Sequence, residues 1–249
     1  MNTATWPVGY ALKEFESIDS TNEEARRLAV AGERGPIWIM AARQTAGRGR
    51  RGRVWESPSG NLAASLMLRP GRPAGDCAQL SFVAAIAACD MIAGFAPGAE
   101  VRVKWPNDVL ANGAKIAGIL LEASSSGADI PAWLAVGIGA NLAHHPTDTE
   151  FPATSLAALG VTVPPPRDAL LHLAASFAKW YESWRADGFA FIRDAWLARA
   201  LGLGTRIRAR LQNEELSGVF EGIDGGGALL LGMTAGRTRT IAAGEVFFG

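Results

Sequence analysis

The first candidate for chemistry is a glycine- and arginine-rich stretch within residues 44–61. Four arginines alternate with three glycines in its centre: Gly47, Arg48, Gly49, Arg50, Arg51, Gly52 and Arg53. Glycine lets the backbone approach a ligand closely, and successive backbone N–H groups form an anion-binding concavity. Arginine adds planar, bidentate donors that suit phosphate and carboxylate groups. The stretch therefore predicts a loop that wraps a ligand with several negative charges and closes over it.

Other interpretations of this arginine loop (residues 44–61) compete. Its central glycines match the G-x-G-x-x-G dinucleotide fingerprint, which needs a helix at its end and an acidic residue about 20 positions later. A tryptophan, a Ser-Pro and a Gly-Asn turn follow instead, which disfavours that fingerprint. A basic cluster can also be a nucleic-acid patch or a solvated surface loop. Gln44, Trp55 and Asn61 argue against the solvated loop, because such specific side chains are unusual in one.

A second polar group lies at the start of a predicted helix. Ser20 and Glu23 have the spacing of a capping box, and apolar residues follow at helical intervals. On this local evidence the simplest interpretation is a well-capped helix. The functional interpretation is that Ser20, Thr21 and Asn22 present hydroxyls and an amide to a small polar ligand at the helix N-terminus.

Residues 104–122, K-W-P-N-D-V-L-A-N-G-A-K-I-A-G-I-L-L-E, form the second informative segment. An Asn-Gly pair between apolar runs predicts a β-hairpin. The hairpin puts Lys115 near the start of its second strand and Gly118 at a position where a ligand or backbone approaches closely. Taken singly, Lys115 is equally a solvated lysine at a strand end, and Asp108 is equally a turn cap.

The composition describes a folded chain without a general affinity for polyanions. The 249 residues are 49% hydrophobic, enough for a sizeable core, and the formal net charge is zero. The basic loop is therefore a local feature. Cys77 and Cys89 form no C-x-x-C pair, and we expect both in the core. No signal peptide and no apolar run of about 18 residues is evident, so we expect a soluble, cytoplasmic protein with no membrane partner.

The elements that would position these residues form two regions. A buried strand is predicted at residues 37–42, and further strands are predicted at 15–18, 62–68, 101–104 and 133–139. Helices are predicted after 20–22 and over 79–93, 167–184 and 188–200. From about residue 203, glycine-rich turns separate short alternating runs, which predict a small all-β barrel of about five strands. His144 and His145 have no partner at a metal-ligand spacing, so no metal held directly by side chains is expected.

Taken together, these stretches closely resemble the biotin protein ligases, or biotin–[acetyl-CoA-carboxylase] ligases. Six motifs occur in register: S-T-N at 20–22, Q-x-x-G-R-G-R-R-G-R-x-W at 44–55, S-P-x-G-N at 57–61, K-W-P-N-D at 104–108, K-x-x-G-I-L-x-E at 115–122 and G-x-N at 139–141. Each is weak alone, but their order and spacing fit nearly the whole chain. The resemblance implies an α+β fold: a mixed β-sheet flanked by helices, of class II synthetase type, over residues 1–202, and a small SH3-like barrel over 203–249.

The resemblance also implies a two-step reaction. Biotin and ATP, with Mg²⁺, give biotinyl-5′-AMP and pyrophosphate, and the mixed anhydride then acylates one lysine of a biotin carboxyl carrier protein. Some members carry an N-terminal DNA-binding module and act as repressors. Fewer than 20 residues precede the motif that begins at Ser20, too few for that module, so no nucleic-acid partner is expected. The resemblance leaves open whether the protein is a monomer or a homodimer.

Site residues follow from the same resemblance. Biotin would contact Ser20, Thr21, Asn22, Gln44, Arg48, Gly49, Arg50, Lys115 and Gly118. ATP and the adenylate would contact Arg48, Arg51, Trp55, Asn107, Lys115 and Asn141, with Trp55 closing over the adenine. The catalytic set would be Lys115, Arg48, Arg50, Arg51 and Asp108. Lys115 would bridge the biotin carboxylate and the α-phosphate, and Asp108 would orient Lys115 or the incoming amine. Catalysis would then be positioning and charge neutralisation, since a carboxylate with an ordinary pKa of about 4–5 is already nucleophilic at neutral pH.

Two alternatives of different kinds stay open. A lipoate or octanoate ligase or transferase would share the fold, but it would lack the arginine loop in this form. A non-catalytic biotin or nucleotide sensor would bind without turnover. The intact Lys115, Arg48, Arg50 and Arg51 argue against a sensor.

Overall fold

A seven-stranded sheet is the main element of the computed structural model, which describes residues 4–124 and 129–248. Its strands are β1 (Ala11–Ile18), β2 (Ile37–Gln44), β3 (Leu62–Leu68), β4 (Val101–Lys104), β5 (Asp108–Ala111), β6 (Ala114–Ala123) and β7 (Leu134–Ala140). Their spatial order is β1-β2-β3-β7-β6-β5-β4. β1 and β2 run parallel, and the other neighbours are antiparallel. The expected mixed sheet is confirmed.

Helices cover both faces of this sheet. They are α1 (Thr21–Val30), α2 (Ala74–Ala78), α3 (Leu80–Phe95), α4 (Pro166–Asp187) and α5 (Phe189–Leu197). Successive residues of β2 point to opposite faces, as a strand requires. Ile37 and Ile39 pack with α1 residues in the smaller core cluster, whereas Trp38 joins the larger cluster with residues of α3, α4 and α5. The motif-bearing N-terminus of α1 is thereby held against the sheet.

The helical stretch Ala74–Phe95 is long and apolar enough, by length and composition, to cross a membrane. No such stretch was expected from the sequence. Of its most apolar window, 67% is buried inside the protein. A helix that is buried all round is apolar all round, so core packing accounts for this composition. Cys77 and Cys89 lie on α2 and α3 as buried, unbridged thiols, which confirms the core assignment.

Two local expectations need correction. β1 begins at Ala11 rather than in the predicted 15–18 segment, because its parallel pairing with β2 starts there. Its outer edge carries polar residues, which weakened the periodic signal. Ser20 does precede α1 with an extended backbone, but in the described structure its side chain makes no capping hydrogen bond. The sequence pattern of a capping box is therefore present, but the Ser20 hydrogen bond that defines such a box is not formed.

The C-terminal region forms a separate five-stranded antiparallel sheet. Its strands are β8 (Arg206–Arg210), β9 (Glu215–Ile223), β10 (Leu229–Gly232), β11 (Thr238–Ile241) and β12 (Glu245–Phe248), in the order β11-β10-β9-β8-β12. The predicted runs fall on these five strands. Its apolar side chains continue the larger core cluster of the main sheet. Trp105 Nε1 also donates to the Gly227 carbonyl at 3.0 Å, which joins the two sheets.

Candidate active site

The sequence-predicted site residues surround a cavity of about 480 Å³, a size typical of small-molecule sites. All but one of them line it: Ser20, Thr21, Asn22, Gln44, Arg48, Gly49, Arg50, Trp55, Asn107, Asp108, Lys115, Gly118 and Asn141. The exception is Arg51. The C-terminal sheet contributes Glu245, Val246 and Phe247 to the same wall. Segments far apart in the chain therefore meet in one place.

A buried, hydrogen-bonded polar slot occupies one end of the cavity. Gln44 Oε1 accepts the Thr21 backbone N–H at 2.8 Å and lies 3.1 Å from Thr21 Oγ1. The Gln44 amide nitrogen donates to Ser57 Oγ at 2.8 Å. Ser65, which is fully buried, places its Oγ 2.7 Å from Thr21 Oγ1 and 2.5 Å from Asn22 Oδ1. These bonds hold the slot in one arrangement and suit it to a ligand with matched donors and acceptors.

Asn22 connects this slot to the arginine loop through Glu122. The Asn22 amide nitrogen donates to Glu122 Oε2 at 2.7 Å, and Arg48 NH2 lies 3.2 Å from the same carboxylate. Glu23 adds a longer contact to Arg48 at 3.7 Å. Gly137 lets this arrangement form, because a Cβ there would collide with the Asn22 side chain.

The arginine loop closes over the cavity through two kinds of contact. Gly47 packs so tightly beneath the loop that a Cβ would collide with the Trp55 carbonyl. Arg50 NH1 donates to Asn107 Oδ1 at 3.3 Å. Burial lowers the pKa of the Arg50 guanidinium, and the nearby charge of Arg51 lowers it further. Arginine still remains charged under all ordinary conditions, so Arg50 presents a partly desolvated cation to the cavity.

Arg51 is not among the residues that line the cavity, and its expected contact with the adenylate stays a prediction. Its backbone is left-handed, with φ 56°, and its guanidinium lies 3.8 Å from Glu245 of β12. Arg53, one turn on, reaches the same carboxylate at 2.9 Å. The positive φ turns Arg51 toward the C-terminal sheet, which local sequence could not reveal.

Lys115 stands at the centre of the site. Its ammonium group lies 2.5 Å from Asp108 Oδ1, and its side chain is 28% exposed. The hairpin turn that leads to it has φ 50° at Asn112 and 79° at Gly113, as a type I′ turn requires, so the predicted hairpin is confirmed. A cation held at the cavity wall by a single carboxylate is well placed to receive anionic ligands.

Trp55 lies over a wall made of glycines. A Cβ at Gly139 would collide with its indole, and one at Gly118 would stand 3.3 Å from the ring. The Lys115 ammonium is 5.7 Å from the ring centroid. In this structure Trp55 therefore covers the glycine wall where the biotin ring was expected, and its predicted contact with adenine stays a prediction.

The remaining polar residues fix the backbone around the cavity. Asn107 donates to the Ile119 carbonyl at 2.6 Å, and buried Asn141 donates to the Thr154 carbonyl at 3.0 Å. Asn61 accepts three successive backbone N–H groups from residues 142–144. The Asn61 motif thus orders the turn that follows β7 and carries Asn141 into the cavity.

Residues 4–124 and 129–248 contain no cluster of three or more His, Cys, Asp or Glu side chains arranged to hold a metal ion. The Asp108 carboxylate is already paired with Lys104 and Lys115.

Sequence reasoning missed several residues of the site: Ser65, Lys104, Glu122, Glu245 and Phe247. Lys104 and Glu122 stand inside motifs that were recognised, at the first and last positions of the second segment, but neither received a role. Ser65 lies on an otherwise apolar strand, and its single hydroxyl among apolar residues was the available sequence signal. Glu245 and Phe247 carried no local signal, because only the docking of the C-terminal sheet brings them to the cavity.

The fold and the site together combine a mixed sheet, a buried polar slot, a cavity-lining lysine and an arginine-rich loop, as expected of the ligase class. The comparisons with known proteins agree. A family model described as "Biotin/lipoate A/B protein ligase family" matches residues 14–141, and one described as "Biotin protein ligase C terminal domain" matches residues 202–249.

Individual relatives cover almost the whole chain. A biotin–[acetyl-CoA-carboxylase] ligase of Paracoccus denitrificans is 50% identical over 93% of this chain and 98% of its own length. A bifunctional ligase/repressor of Bacillus subtilis is 36% identical over 95% of this chain and 74% of its own length. A solved biotin protein ligase from Aquifex aeolicus, in complex with biotin and ATP, superposes with a TM-score of 0.81 at 27% identity, covering 95% and 97% of the two chains. The chain belongs to the biotin/lipoate A/B protein ligase family and, within it, to the biotin protein ligases.

Proposed function

We propose that this protein activates biotin with ATP to biotinyl-5′-AMP and transfers the biotinyl group to a lysine of a biotin carboxyl carrier protein. The observation that carries the proposal is that Lys115, paired with Asp108, lines the same cavity as the buried polar slot and the arginine loop. The slot suits a small neutral ring with matched donors and acceptors, and the loop suits phosphates. Lys115 is the point where a carboxylate from one side and a phosphate from the other would meet.

The polar slot would bind the ureido ring of biotin. Ser20 provides a further hydroxyl, and Thr21, Asn22 and Gln44 provide a hydroxyl and amides whose other partners are already set by Ser65, Glu122 and Ser57. Leaving one such buried group unpaired costs about 1–3 kcal/mol. A slot of this kind therefore selects a ligand that satisfies every group, which favours a cyclic urea over the purely apolar ring of lipoate.

The first step would be attack of the biotin carboxylate on the α-phosphate of ATP, with pyrophosphate as the leaving group. Lys115 would bridge the two anions, and Arg48 and Arg50 would hold phosphate oxygens. Mg²⁺ would enter as part of the Mg·ATP substrate. The protein contributes positioning and preorganised positive charge. The loop would also exclude water from the reactive anhydride.

The second step would be attack of the carrier lysine amine on the anhydride carbonyl, which releases AMP. Asp108 lies beside Lys115 and could accept a hydrogen bond from the incoming amine. We also propose that residues 1–202 act as the catalytic domain and that residues 203–249, an SH3-like domain, complete its cavity through Glu245 and Phe247. We propose further that the enzyme has no nucleic-acid partner and acts in the cytoplasm with its carrier.

ATP–pyrophosphate exchange with purified protein tests the first step directly. Biotin, lipoate and octanoate are compared as the carboxylate substrate. Exchange with biotin alone is expected. Exchange driven by lipoate or octanoate would move the function to the sister enzymes, and binding of biotin without any exchange would identify a sensor. A carrier domain with its acceptor lysine changed to arginine is the control for the transfer step.

A further inference from the structure

Lys104, at the end of β4, is a buried lysine whose charge the proposed reaction leaves without a role. The whole residue is 6% exposed. Its ammonium group lies 3.7 Å from the ring centroid of Phe151 and 5.8 Å from that of Phe247, which comes from the C-terminal sheet. Lysine is almost never fully buried unless it is paired, and cation–π contacts alone are a modest compensation.

The partner of Lys104 is the carboxylate that also holds Lys115. β4 and β5 pair Lys104 directly opposite Asp108. Lys104 Nζ lies 3.7 Å from Asp108 Oδ2, and Lys115 Nζ lies 2.5 Å from Asp108 Oδ1. One carboxylate, with a side chain only 13% exposed, therefore stands between two ammonium groups.

The two lysines differ in what they face. The Lys104 side chain is 7% exposed and its ammonium faces aromatic rings, whereas the Lys115 side chain is 28% exposed at the cavity wall. Burial lowers the pKa of Lys104, the charge of Asp108 raises it, and the charge of Lys115 lowers it again. Lys104 is thus the enclosed cation of the pair, and Lys115 is the one that a ligand can reach.

This difference matters when substrate anions arrive. In the proposed reaction Lys115 would turn from Asp108 toward the biotin carboxylate and the α-phosphate, and a buried carboxylate left without any counterion is strongly destabilised. We propose that Lys104 is a positioning residue that keeps Asp108 neutralised and oriented while Lys115 is transferred to the two substrate anions. The inference rests on the proposed function, and it extends the site to a residue that acts through Asp108.

A double-mutant cycle in the full-length enzyme tests it, with biotin-dependent pyrophosphate exchange as the assay. Lys104→Met keeps the length and apolar contacts of the side chain and removes its charge. We expect kcat to fall about tenfold, a loss that lies within the range of interaction energies between contacting residues. The KM for biotin should change by less than about twofold. Lys104→Arg should recover most of kcat. Lys179→Met, which removes an exposed lysine beside Trp180, is the matched control and should change neither parameter.

The decisive comparison uses Asp108→Asn as the background, where no carboxylate remains to be neutralised. There, Lys104→Met should change kcat by less than about twofold. Equal losses in both backgrounds would show that Lys104 acts independently of Asp108 and would overturn the inference. A parallel loss of melting temperature and of kcat that Lys104→Arg fails to recover would assign a structural role and would also overturn it. If Lys104→Met does not fold, Lys104→Gln replaces it in the same cycle.

The two proposals fail in different ways. A wild-type enzyme that shows no exchange with biotin would overturn the proposed function and this inference together. Biotin-dependent exchange in the wild type, with additive losses in the cycle, would overturn the inference alone.

Discussion

Glu122 should control biotin affinity although the proposed ligand contacts do not include it. Its carboxylate accepts the Asn22 amide at 2.7 Å and pairs with Arg48 at 3.2 Å. Asn22 is 4% exposed, so its amide has little water available as a replacement hydrogen-bond partner. The Arg48 and Glu122 side chains are 41% and 34% exposed, so solvent screens that ion pair. The Asn22 contact is therefore the one whose loss should matter.

The magnitude follows from these burials. A hydrogen bond to a charged group contributes about 1.5–3 kcal/mol when one partner is buried, and the exposed ion pair contributes about 0.2–1 kcal/mol. Glu122→Ala removes both contacts and should raise the biotin Kd by about 20- to 1,000-fold if the whole loss falls on affinity, since about 1.4 kcal/mol is a factor of ten. Glu122→Gln keeps a neutral acceptor for Asn22 and should raise Kd by only about 2- to 10-fold.

Isothermal titration calorimetry with biotin measures the affinity, and urea unfolding measures stability. The stability measurement is needed because part of the lost hydrogen bond can reduce folding stability instead of affinity. Glu100→Ala, which removes an exposed carboxylate paired with Arg102, is the matched control and should alter neither measurement. If Glu122→Ala bound biotin within twofold of the wild type at unchanged stability, Glu122 would have no part in holding Asn22.

Three further predictions concern single contacts. Lys115→Met should lower biotin-dependent exchange by at least about 100-fold, as loss of a preorganised charge does, while circular dichroism shows an unchanged fold; near-normal exchange would remove Lys115 from the mechanism. Gly139→Ala should lower the unfolding free energy by about 1–3 kcal/mol, because the new Cβ collides with Trp55. In a Trp55→Ala background the same substitution should cause no such loss. An additive loss in the double variant would show that the collision is with another residue. The hydrogen bond from Arg27 lowers the pKa of Asp19 from 3.8 to about 2, so its stabilisation exists above about pH 4 and disappears as the pH falls toward 2. The stability difference between Asp19→Asn and the wild type, measured in urea, should shrink over that window; a difference independent of pH would show that the carboxylate is not specifically stabilised.

Local chemistry explains how much of the fold could be predicted from the sequence. β3 and β4 have the bounds that were predicted for them. For β3 the signal was a mostly apolar run, which a strand buried on both faces needs. The Asn112–Gly113 turn formed as predicted, because both residues tolerate positive φ. The edge strand β1 was predicted too short, since its polar outer residues carry little periodic signal.

The chemistry of the site was also predictable in kind. Arginines between glycines, a lysine after a hairpin and polar residues at a helix start each imply an interaction with anions or small polar groups. Their assembly into one cavity was suggested only by the resemblance. Nothing local to residues 20–22 indicates that they would lie beside Glu122.

The tertiary structure alone decided how these groups act on one another. Asn22 meets Glu122 because α1 packs on the sheet near β6, one hundred positions away in the chain. Arg51 turns to Glu245, and Phe247 reaches Lys104, because the C-terminal sheet docks beside the cavity. A sequence pattern determines which face of a strand is buried and where a turn forms, since those depend on neighbouring residues. It does not state which strands become neighbours or in what register, because that choice depends on packing throughout the core.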